Sequence, residues 1–245
     1  MNDKPYIRLP MTPTQFITSY RAAFGENALL PIAFGFSDTP RAKVKHGIRC
    51  IVGAYKMVLD GRDMTLEGDF INCMGGRTYL GRGEMTERTA TFVSETECYK
   101  QTPALVKNYV AGLGIVPAAK PYLNFMRIDH LDSWDGTEGL IFFATPDIVS
   151  GLAAWAFYDR NEADTVTVKF GSGCASTITF AIAENRLPDG YRCFLGMTDL
   201  SARYLASSGL LAFTIPSCRL PQMLETLPHT ALFNGKAWER LKARQ

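Results

Sequence analysis

Two of the six cysteines stand beside glycines, and they carry the strongest chemical signal in the sequence. Cys73 lies in a motif over residues 69–81, where a loop is predicted to enter a short helix, and Cys174 directly follows Gly173. Accessible backbone N–H groups and the positive end of a helix dipole stabilise a thiolate and lower a cysteine pKa from its usual value of about 8.5. A thiolate binds metals and attacks electrophiles, so both cysteines are candidates for a site.

The three residues that follow Met74 suit a small or anionic ligand. Gly75 and Gly76 lack side chains and let a ligand approach the backbone. The guanidinium of Arg77 can hold a carboxylate or a phosphate through two parallel hydrogen bonds. The predicted ligand-binding residues are therefore Cys73, Gly75, Gly76, Arg77 and Cys174. A structural interpretation stays open, in which the glycines only permit a tight turn and Arg77 makes a surface ion pair.

Two further cysteines extend this group into a predicted metal site. Zinc-finger and Cys-x-x-Cys spacings are absent and the three histidines are scattered, so a local metal module is excluded. A site assembled from distant thiolates remains, and it would suit a soft metal such as Zn or Cu(I), or an iron-sulfur cluster. The predicted metal ligands are Cys50, Cys73, Cys174 and Cys193. Cys50 can equally be a small buried hydrophobe in a helix.

Composition and missing motifs exclude several classes of function. The net charge of +2 comes from 26 basic and 24 acidic residues that are mixed along the chain, which argues against nucleic acid as a partner. No apolar stretch approaches the ~20 residues of a membrane span, and no secretory signal is visible, so a cytoplasmic protein is predicted. Phosphate-binding and hydrolase nucleophile motifs are missing. A small-molecule or anionic ligand and a homo-oligomer remain as expected partners.

The elements that must position these residues are read from apolar periodicity and from turn formers. Thr12-Pro13 and Thr145-Pro146-Asp147 each predict a helix start, and the second helix is apolar nearly all round. Pro31 is predicted to place the start of the first strand at a sheet edge. Helices are predicted near residues 13–24, 41–59, 105–112, 147–158, 220–227 and 235–245, and strands near 32–36, 64–67, 122–128, 140–144, 165–170, 191–197 and 210–216.

This order of elements predicts an α+β fold, a single globular domain over residues 1–245 with a mixed sheet and packed helices. A weak internal echo also appears. Strand, helix, short strand and glycine-flanked cysteine occur once up to Cys73 and again up to Cys174, which divides the chain into pseudo-repeat halves of about 14–116 and 121–232. If the echo is a true repeat, Cys73 and Cys174 occupy equivalent places.

A series of short motifs carries a family resemblance. These are Leu30-Pro31-Ile32-Ala33, Arg49-Cys50, Cys73 followed by Tyr79-Leu80-Gly81, Thr145-Pro146, Cys174, and Cys193 with Gly196 before the Leu-x-Phe-x-Ile-Pro strand. In these motifs, from about residue 14 to 230, the chain resembles the uncharacterised prokaryotic family catalogued as domain of unknown function 169. The resemblance implies a cytosolic bacterial or archaeal protein with recurring cysteines at Cys50, Cys73, Cys174 and Cys193 and no established activity. The chain departs from the family pattern after Cys193, where the family more often has a closer glycine and an arginine.

Three functions follow from these observations. The first is a cysteine-lined pocket that binds a small ligand, a soft metal or an iron-sulfur cluster. The second is a non-catalytic small-molecule binder or an oligomeric scaffold in which the cysteines are structural. The third is a thiol-dependent enzyme or redox sensor that uses Cys73, with Arg77 as an anion anchor. No residue is assigned a catalytic role. Whether the cysteine sulfurs converge distinguishes the first function from the others.

Overall fold

The computed structural model describes residues 9–68, 71–118 and 120–244, which form an α+β fold around one mixed sheet of eight strands. Asp69 and Phe70, at the start of the cysteine motif, lie outside the described residues, as do residues 1–8 of the predicted N-terminal arm. The strands are β1 (Ile32–Ser37), β2 (Val44–Lys45), β3 (Met64–Glu67), β4 (Tyr122–Arg127), β5 (Gly139–Ala144), β6 (Val166–Thr167), β7 (Cys193–Gly196) and β8 (Leu211–Pro216). The fold class predicted from the sequence is confirmed.

The α-helices surround this sheet. They are α1 (Pro13–Phe24), α2 (Ile51–Leu59), α3 (Met74–Tyr79), α4 (Glu87–Thr91), α5 (Pro103–Ala111), α6 (Pro146–Phe157), α7 (Phe180–Asn185), α8 (Leu200–Arg203), α9 (Leu220–Thr226), α10 (Ala231–Asn234) and α11 (Lys236–Lys242). Two segments are π-helical: Phe92–Thr96 directly follows α4, and Ala175–Thr179 directly precedes α7. Within the described part of the chain, no helix combines the length and the apolar character needed to cross a membrane.

The strand order is β2-β3-β4-β1-β5-β8-β7-β6. The first strand of each half, β1 and β5, lies at the centre, where the two strands pair antiparallel. Outward from β1 the first half continues with β4, β3 and β2, and outward from β5 the second half continues with β8, β7 and β6. Counted in chain order within each half, both sides therefore run first, fourth, third and second. The outermost pairs, β2 with β3 and β6 with β7, are parallel. The two halves of the sheet therefore have the same topology, although a duplication of the sequence stays a prediction.

The prediction that Pro31 places the first strand at an edge is wrong. Ile32, the first residue of β1, pairs with Arg127 of β4 on one side and with Ile141 of β5 on the other. Pro31 lies immediately before the strand. Its missing N–H therefore costs the sheet no hydrogen bond within the strand, which removes the reason for an edge position.

The helix predicted over residues 41–59 is also wrong in its first half. Residues 44–45 form β2, and Gly47 takes a φ of 66°, a left-handed conformation that interrupts a helix. The helix begins only at Ile51, and Cys50 is its N-cap residue with extended backbone angles. The apolar residues Val44 and Ile48 had suggested a continuous helical face, but they belong to the edge strand and to the loop after it.

One face of the sheet carries a closed aromatic core. Inward-facing residues of the central strands, such as Leu140 and Phe142, pack against α1, α6, α9 and α11. The caps that the sequence predicts for two of these helices are present, because Thr12 forms a capping box with Gln15 and the Thr145 hydroxyl accepts from the Ile148 N–H. These caps satisfy N–H groups that the first helical turn leaves unpaired.

The opposite face is covered by α2 and by a helical run over residues 173–185 that includes the π-helical segment and α7. The alternate residues of the same strands, such as Ile141 and Phe143, point to this side. The Tyr55 hydroxyl of α2 lies 2.7 Å from the Thr177 hydroxyl, so the two helices are joined by a buried hydrogen bond. These two helices bring Cys50 and Cys174 to the same face.

Candidate functional site

A cavity of about 1320 Å3 opens on the face covered by α2 and residues 173–185. This volume exceeds the roughly 300–1000 Å3 that is common for small-molecule sites. Both halves of the chain contribute to its wall. The first half supplies α2, α3, residues 88–93 and α5, and the second half supplies residues 170–174 and residues between 199 and 205.

Three of the four cysteines predicted as metal ligands line this cavity, namely Cys50, Cys73 and Cys174. Cys50 caps the start of α2, and Cys174 lies in the first turn of the helical run 173–185. Each helix connects the outermost strand of its half to the next strand inward. By strand order the equivalent of Cys174 is therefore Cys50, whereas the internal echo had matched it with Cys73.

A repeated motif supports the match between Cys50 and Cys174. Residues 44–50 read Val-Lys-His-Gly-Ile-Arg-Cys and residues 168–174 read Val-Lys-Phe-Gly-Ser-Gly-Cys. Both therefore have the pattern Val-Lys-x-Gly-x-x-Cys. The first copy begins with β2 itself and ends at the N-cap of α2, and the second begins directly after β6 and ends in the first turn of the helical run 173–185. The sequence-based prediction missed this repeated motif, because it matched the halves by their strands and helices and assigned residues 44–50 to a helix.

Gly173 lets the starts of the two helices approach each other. A Cβ atom on Gly173 would lie 2.5 Å from Cγ2 of Val52, in the first turn of α2, and 3.0 Å from the sulfur of Met197. Real Cβ atoms do not come this close to another carbon, so only glycine fits this position without movement. The glycine beside Cys174 therefore serves helix packing as well as the cavity wall.

Cys73 caps α3, as the prediction of a loop entering a short helix requires. Its sulfur accepts a hydrogen bond from the Gly76 N–H over 3.3 Å, and its side chain is half-buried in the cavity wall. Gly75 and Gly76 also line the cavity. Four of the five predicted ligand-binding residues, Cys174 included, thus belong to one wall.

Arg77, the fifth residue, is not among the described residues that line the cavity. It follows Gly76 on α3, and one step along a helix turns a side chain by about 100°. Cationic side chains in the wall come instead from Arg49, Arg88 and Lys100. The sequence-based prediction gave none of these three residues a role in binding, although Arg49 stands beside Cys50 in one of the family motifs.

Cys193 lies on the other face of the sheet, so the predicted group of four converging cysteines is wrong. Its sulfur is fully buried in the aromatic core, 3.7 Å from the sulfur of Met223. Its neighbour in β7, Phe194, packs on the cavity side. Successive residues of a strand point to opposite faces, so a difference of one position decides which core a strand cysteine enters. Burial also raises the pKa of the Cys193 thiol.

Burial, and not the neighbouring glycines, dominates the chemistry of two cavity cysteines. It raises the pKa of the Cys174 thiol well above its ordinary value, and Cys50, Cys73 and Asp199 raise that pKa further. Burial also raises the pKa of Cys50, although the N–H groups of Gly53 and Val52 act in the opposite direction. The predicted thiolate at Cys174 is therefore wrong, because desolvation penalises the charged form. At neutral pH Cys50 and Cys174 are protonated.

Asp199 is a cavity residue that the sequence-based reading missed. It is the N-cap of α8, and its side chain is buried beside Gly173. One carboxylate oxygen accepts from the Gly173 N–H over 2.8 Å, and the other accepts from the Ser201 N–H and hydroxyl. Asp199 caps α8, the first α-helix after β7, which is the third strand of the second half. Cys73 has the equivalent place in the first half, because it caps α3, the first α-helix after β3. An aspartate before a short helix is a recognisable capping signal.

Much of the remaining wall is aromatic or otherwise apolar. Among its members are large apolar side chains that are exposed to solvent by 45 to 79%, namely Met74, Phe92, Phe170, Leu200 and Tyr204. Of the two described non-glycine residues with positive φ, Cys98 at 56° lies between the wall residues Glu97 and Tyr99, and Met197 at 62° lies two residues before Asp199. A π-helical segment contributes Phe92 and Val93, and a second one follows Cys174. Such irregular backbone is common at functional sites.

Metal binding gains no support from the geometry. In the described ranges, no group of three or more histidine, cysteine, aspartate or glutamate residues is arranged to hold a metal ion. This finding covers Cys50, Cys73, Cys174 and Asp199, although all four contribute to the cavity wall. The arrangement can surround an organic molecule with thiols, aromatic rings and a small number of charges.

Comparison with known proteins identifies the family. Residues 28–226 match the family described as uncharacterised ArCR, or domain of unknown function 169. This match spans most of the chain, so the chain belongs to that family, as the cysteine motifs had indicated. No curated protein and no solved structure matches the chain.

Proposed function

We propose that this member of the ArCR family binds a small molecule with an apolar body in the cavity between α2, α3, α5 and residues 170–174. The observation that carries the proposal is the cavity itself, with its volume of about 1320 Å3 and its aromatic and thiol-bearing wall. Pockets that bind small molecules are mostly apolar with a few well-placed polar groups.

The exposed apolar residues of the wall give independent support. Phe170, Leu200 and Tyr204 are exposed by 50, 73 and 79%, respectively, and all three line the cavity. Exposure of large apolar side chains is unfavourable, and a cluster of them marks a surface that binds something. A bound ligand would remove these side chains from water.

The cysteines serve this function as part of the wall. Cys174 and Cys50 are protonated thiols at neutral pH because burial raises the pKa of both. A protonated thiol behaves as a small, polarizable apolar group. It adapts to an apolar ligand without imposing a charge, and its oxidation or metal loading is not required for binding.

The experiment uses the neutral dye N-phenyl-1-naphthylamine, which becomes fluorescent when it enters an apolar cavity. Gly75→Phe should weaken dye binding about tenfold or more, because the added ring would extend from the wall into the cavity. There is room for the new side chain, since the nearest contacts of a Cβ atom on Gly75 are Tyr79 at 3.8 Å and Cys73 at 4.0 Å.

Gly83→Phe is the matched control. Gly83 lies outside the cavity wall, and a Cβ atom there would contact only Arg77, at 4.0 Å. The control should bind the dye as the wild type does, and both variants should keep the wild-type melting temperature. A wild-type protein that does not bind the dye, or an equal loss in both variants, contradicts the proposed cavity function. Mass spectrometry of the small molecules released by denaturing the purified protein would then identify the natural ligand.

One contact favours a second function, a thiol reaction at Cys73. Its sulfur accepts from the Gly76 N–H at the start of α3 and borders the cavity. A sulfur at this place can meet an electrophile that enters the cavity. Cys73 should then react with iodoacetamide faster than Cys98, although Cys98 is the more exposed of the two. Slower alkylation of Cys73, located by peptide mass spectrometry, would argue against this second function.

A further inference from the structure

We infer that the ligand of this cavity is an organic cation, an amine or a quaternary ammonium on an apolar body, which binds where the Asp199 carboxylate and the rings of Tyr109 and Phe170 line the wall. The inference rests on the proposed function, since it names the chemical class that the same cavity accepts. Asp199, Tyr109 and Phe170 all line the cavity.

The first observation is the state of the Asp199 carboxylate. The residue is only 5% exposed, and its three hydrogen bonds come from neutral donors on Gly173 and Ser201. None of the ion pairs within the described ranges includes Asp199. A buried charge without an opposite charge is unfavourable, and a cationic ligand would supply the missing partner.

The second observation is an aromatic pair that already holds a cation. The rings of Tyr109 and Phe170 have centroids 6.0 Å apart. The Lys100 ammonium lies 4.4 Å from the Tyr109 centroid and 5.3 Å from the Phe170 centroid. Both distances are within the range of cation–π attraction. The pair therefore has the geometry to hold an ammonium group, and in this structure the group is a side chain of the protein.

The third observation connects the carboxylate with the rings. The pKa of Tyr109 is raised by burial and then by the charge of Asp199. The same charge contributes to the raised pKa values of Tyr79 and Tyr99, after burial as the largest cause. Asp199 thus acts on three tyrosines that line one cavity. A carboxylate that shares a cavity wall with aromatic rings is a favourable environment for an organic cation.

An anionic ligand is the principal competitor, because Arg49, Arg88 and Lys100 also line the cavity. Arg49 and Arg88 are exposed, however, and an exposed charge attracts an opposite charge only weakly. Asp199 is buried, so its charge is screened less and would repel an anion more strongly than Arg49 and Arg88 attract one. The charge that water screens least is therefore negative, which favours a cation in the inner part of the cavity.

Lys100 then occupies the position at the two rings that the cation of the ligand would take. The residue lies after the π-helical segment Phe92–Thr96, in a part of the chain that is neither helix nor strand, and its side chain can withdraw into water when a ligand enters. Its removal should consequently strengthen cation binding. If Lys100 only stabilised the wall of the cavity, its removal would weaken cation binding instead.

The experiment measures displacement of N-phenyl-1-naphthylamine by three compounds with the same ten-carbon chain, decyltrimethylammonium, 1-decanol and decanoate, each below its micelle concentration. The cation should displace the dye at a concentration about tenfold lower than either of the other two compounds, as expected for one desolvated cation site. Equal displacement by all three, or a preference for decanoate, overturns the inference while the dye itself still binds. Absence of dye binding would instead overturn the proposed function.

Three variants locate the site. Asp199→Asn keeps an oxygen that can accept from Ser201 and should remove most of the preference for the cation, measured as the ratio of the concentrations at which the three compounds displace the dye. Phe170→Leu should reduce the preference several-fold, and because Phe170 is 50% exposed its replacement does not disturb the core. If Asp199→Asn does not fold, Phe170→Leu decides. A preference that persists in every folded variant overturns the assignment.

Lys100→Met should bind decyltrimethylammonium several-fold more tightly than the wild type does. Lys107→Met is its control, since Lys107 is a nearby lysine that pairs with Glu87 and does not line the cavity. The control should bind all three compounds as the wild type does. Weaker binding of the cation by Lys100→Met would contradict the role of Lys100 as an internal substitute for the ligand.

Discussion

The two faces of the sheet are built by alternate residues of the same strands, yet one face is filled and the other encloses a cavity. On the filled face Trp155 and Phe16 are fully buried and their rings stack with centroids 6.3 Å apart. On the other face α2 and residues 173–185 leave a space of about 1320 Å3. The strands do not determine the difference, because neighbouring residues such as Phe142 and Phe143 belong to different faces.

The helices that cover the two faces determine which face is filled and which encloses a cavity. The filled face is covered by α1 and α6, which have 12 residues each and side-chain caps. The cavity face is covered by α2, with nine residues and no side-chain cap, and by a helix with a π-helical first half. Close packing contributes the larger part of stability, whereas ligand sites occupy less tightly packed regions. The comparison predicts that substitutions on the two faces separate stability from binding.

The largest expected difference is between Trp155→Ala and Met57→Ala. Trp155 is fully buried, and its indole N–H donates to the Met223 carbonyl over 2.6 Å. Its truncation should lower the free energy of unfolding by about 3–5 kcal/mol. Met57 is partly exposed and lines the cavity, so its truncation should cost less than about 1 kcal/mol. Urea denaturation measures both, and equal costs would show that the two faces are packed alike.

Arg219→Met removes one member of a buried ion pair on the filled face and should cost about 2–3 kcal/mol at pH 7, a value reduced because Asp159 is partly exposed. Burial tends to raise the pKa of Asp159, but the hydrogen bond and charge of Arg219 outweigh it, so this pKa is lowered. The resulting stabilisation is complete above the unfolded pKa of about 3.9 and is lost as pH falls through the folded pKa.

The difference between wild type and Arg219→Met should therefore shrink as pH is lowered from 6 to 3, as measured by urea denaturation at each pH. Arg186→Met is the control, since Arg186 and Glu138 form an ion pair in which Arg186 is 48% exposed. It should cost less than about 1 kcal/mol at any pH. A difference that is constant with pH would contradict the proposed role of the pair.

Two helical glycines sharpen the comparison further. A Cβ atom on Gly151 of α6 would lie 2.6 Å from the Trp238 ring, so Gly151→Ala should destabilise the protein by about 1–3 kcal/mol. A Cβ atom on Gly53 of α2 would meet Leu205 at an ordinary 3.7 Å. Gly53→Ala should therefore stabilise by about 0.5–1 kcal/mol, because alanine favours helices. Thermal unfolding should therefore show a lowered melting temperature for Gly151→Ala and a raised one for Gly53→Ala. Destabilisation by Gly53→Ala would show that this wall has no free space.

The smallest expected effects come from the cysteines. Cys193→Ser places a hydroxyl in the aromatic core beside Met223 and should cost about 1–2 kcal/mol. Cys73→Ser keeps an acceptor for the Gly76 N–H at a helix cap, so its cost should be less than about 0.5 kcal/mol. Chemical denaturation distinguishes the two. Comparable costs would mean that Cys73 is as much a core residue as Cys193.

Local structure was predictable wherever a few neighbouring residues decide it. Thr12-Pro13 and Thr145-Pro146 begin helices as expected, because a capping side chain and a proline act within one turn. The helix over residues 41–59 was not, because its apolar spacing also fits a short strand and a loop, and Gly47 takes a conformation that no periodicity reveals. The same error hid the repeated Val-Lys-x-Gly-x-x-Cys motif.

The sequence by itself determined the α+β class, the main helices and central strands, and the membership of Cys50, Cys73 and Cys174 in a set worth testing. Only the tertiary structure decided that these three line one cavity while Cys193 does not. The physical reason is that a strand residue faces one core or the other according to a single step of register. Asp199 joins the cavity because a turn after β7 brings it beside Gly173, 26 residues earlier in the chain.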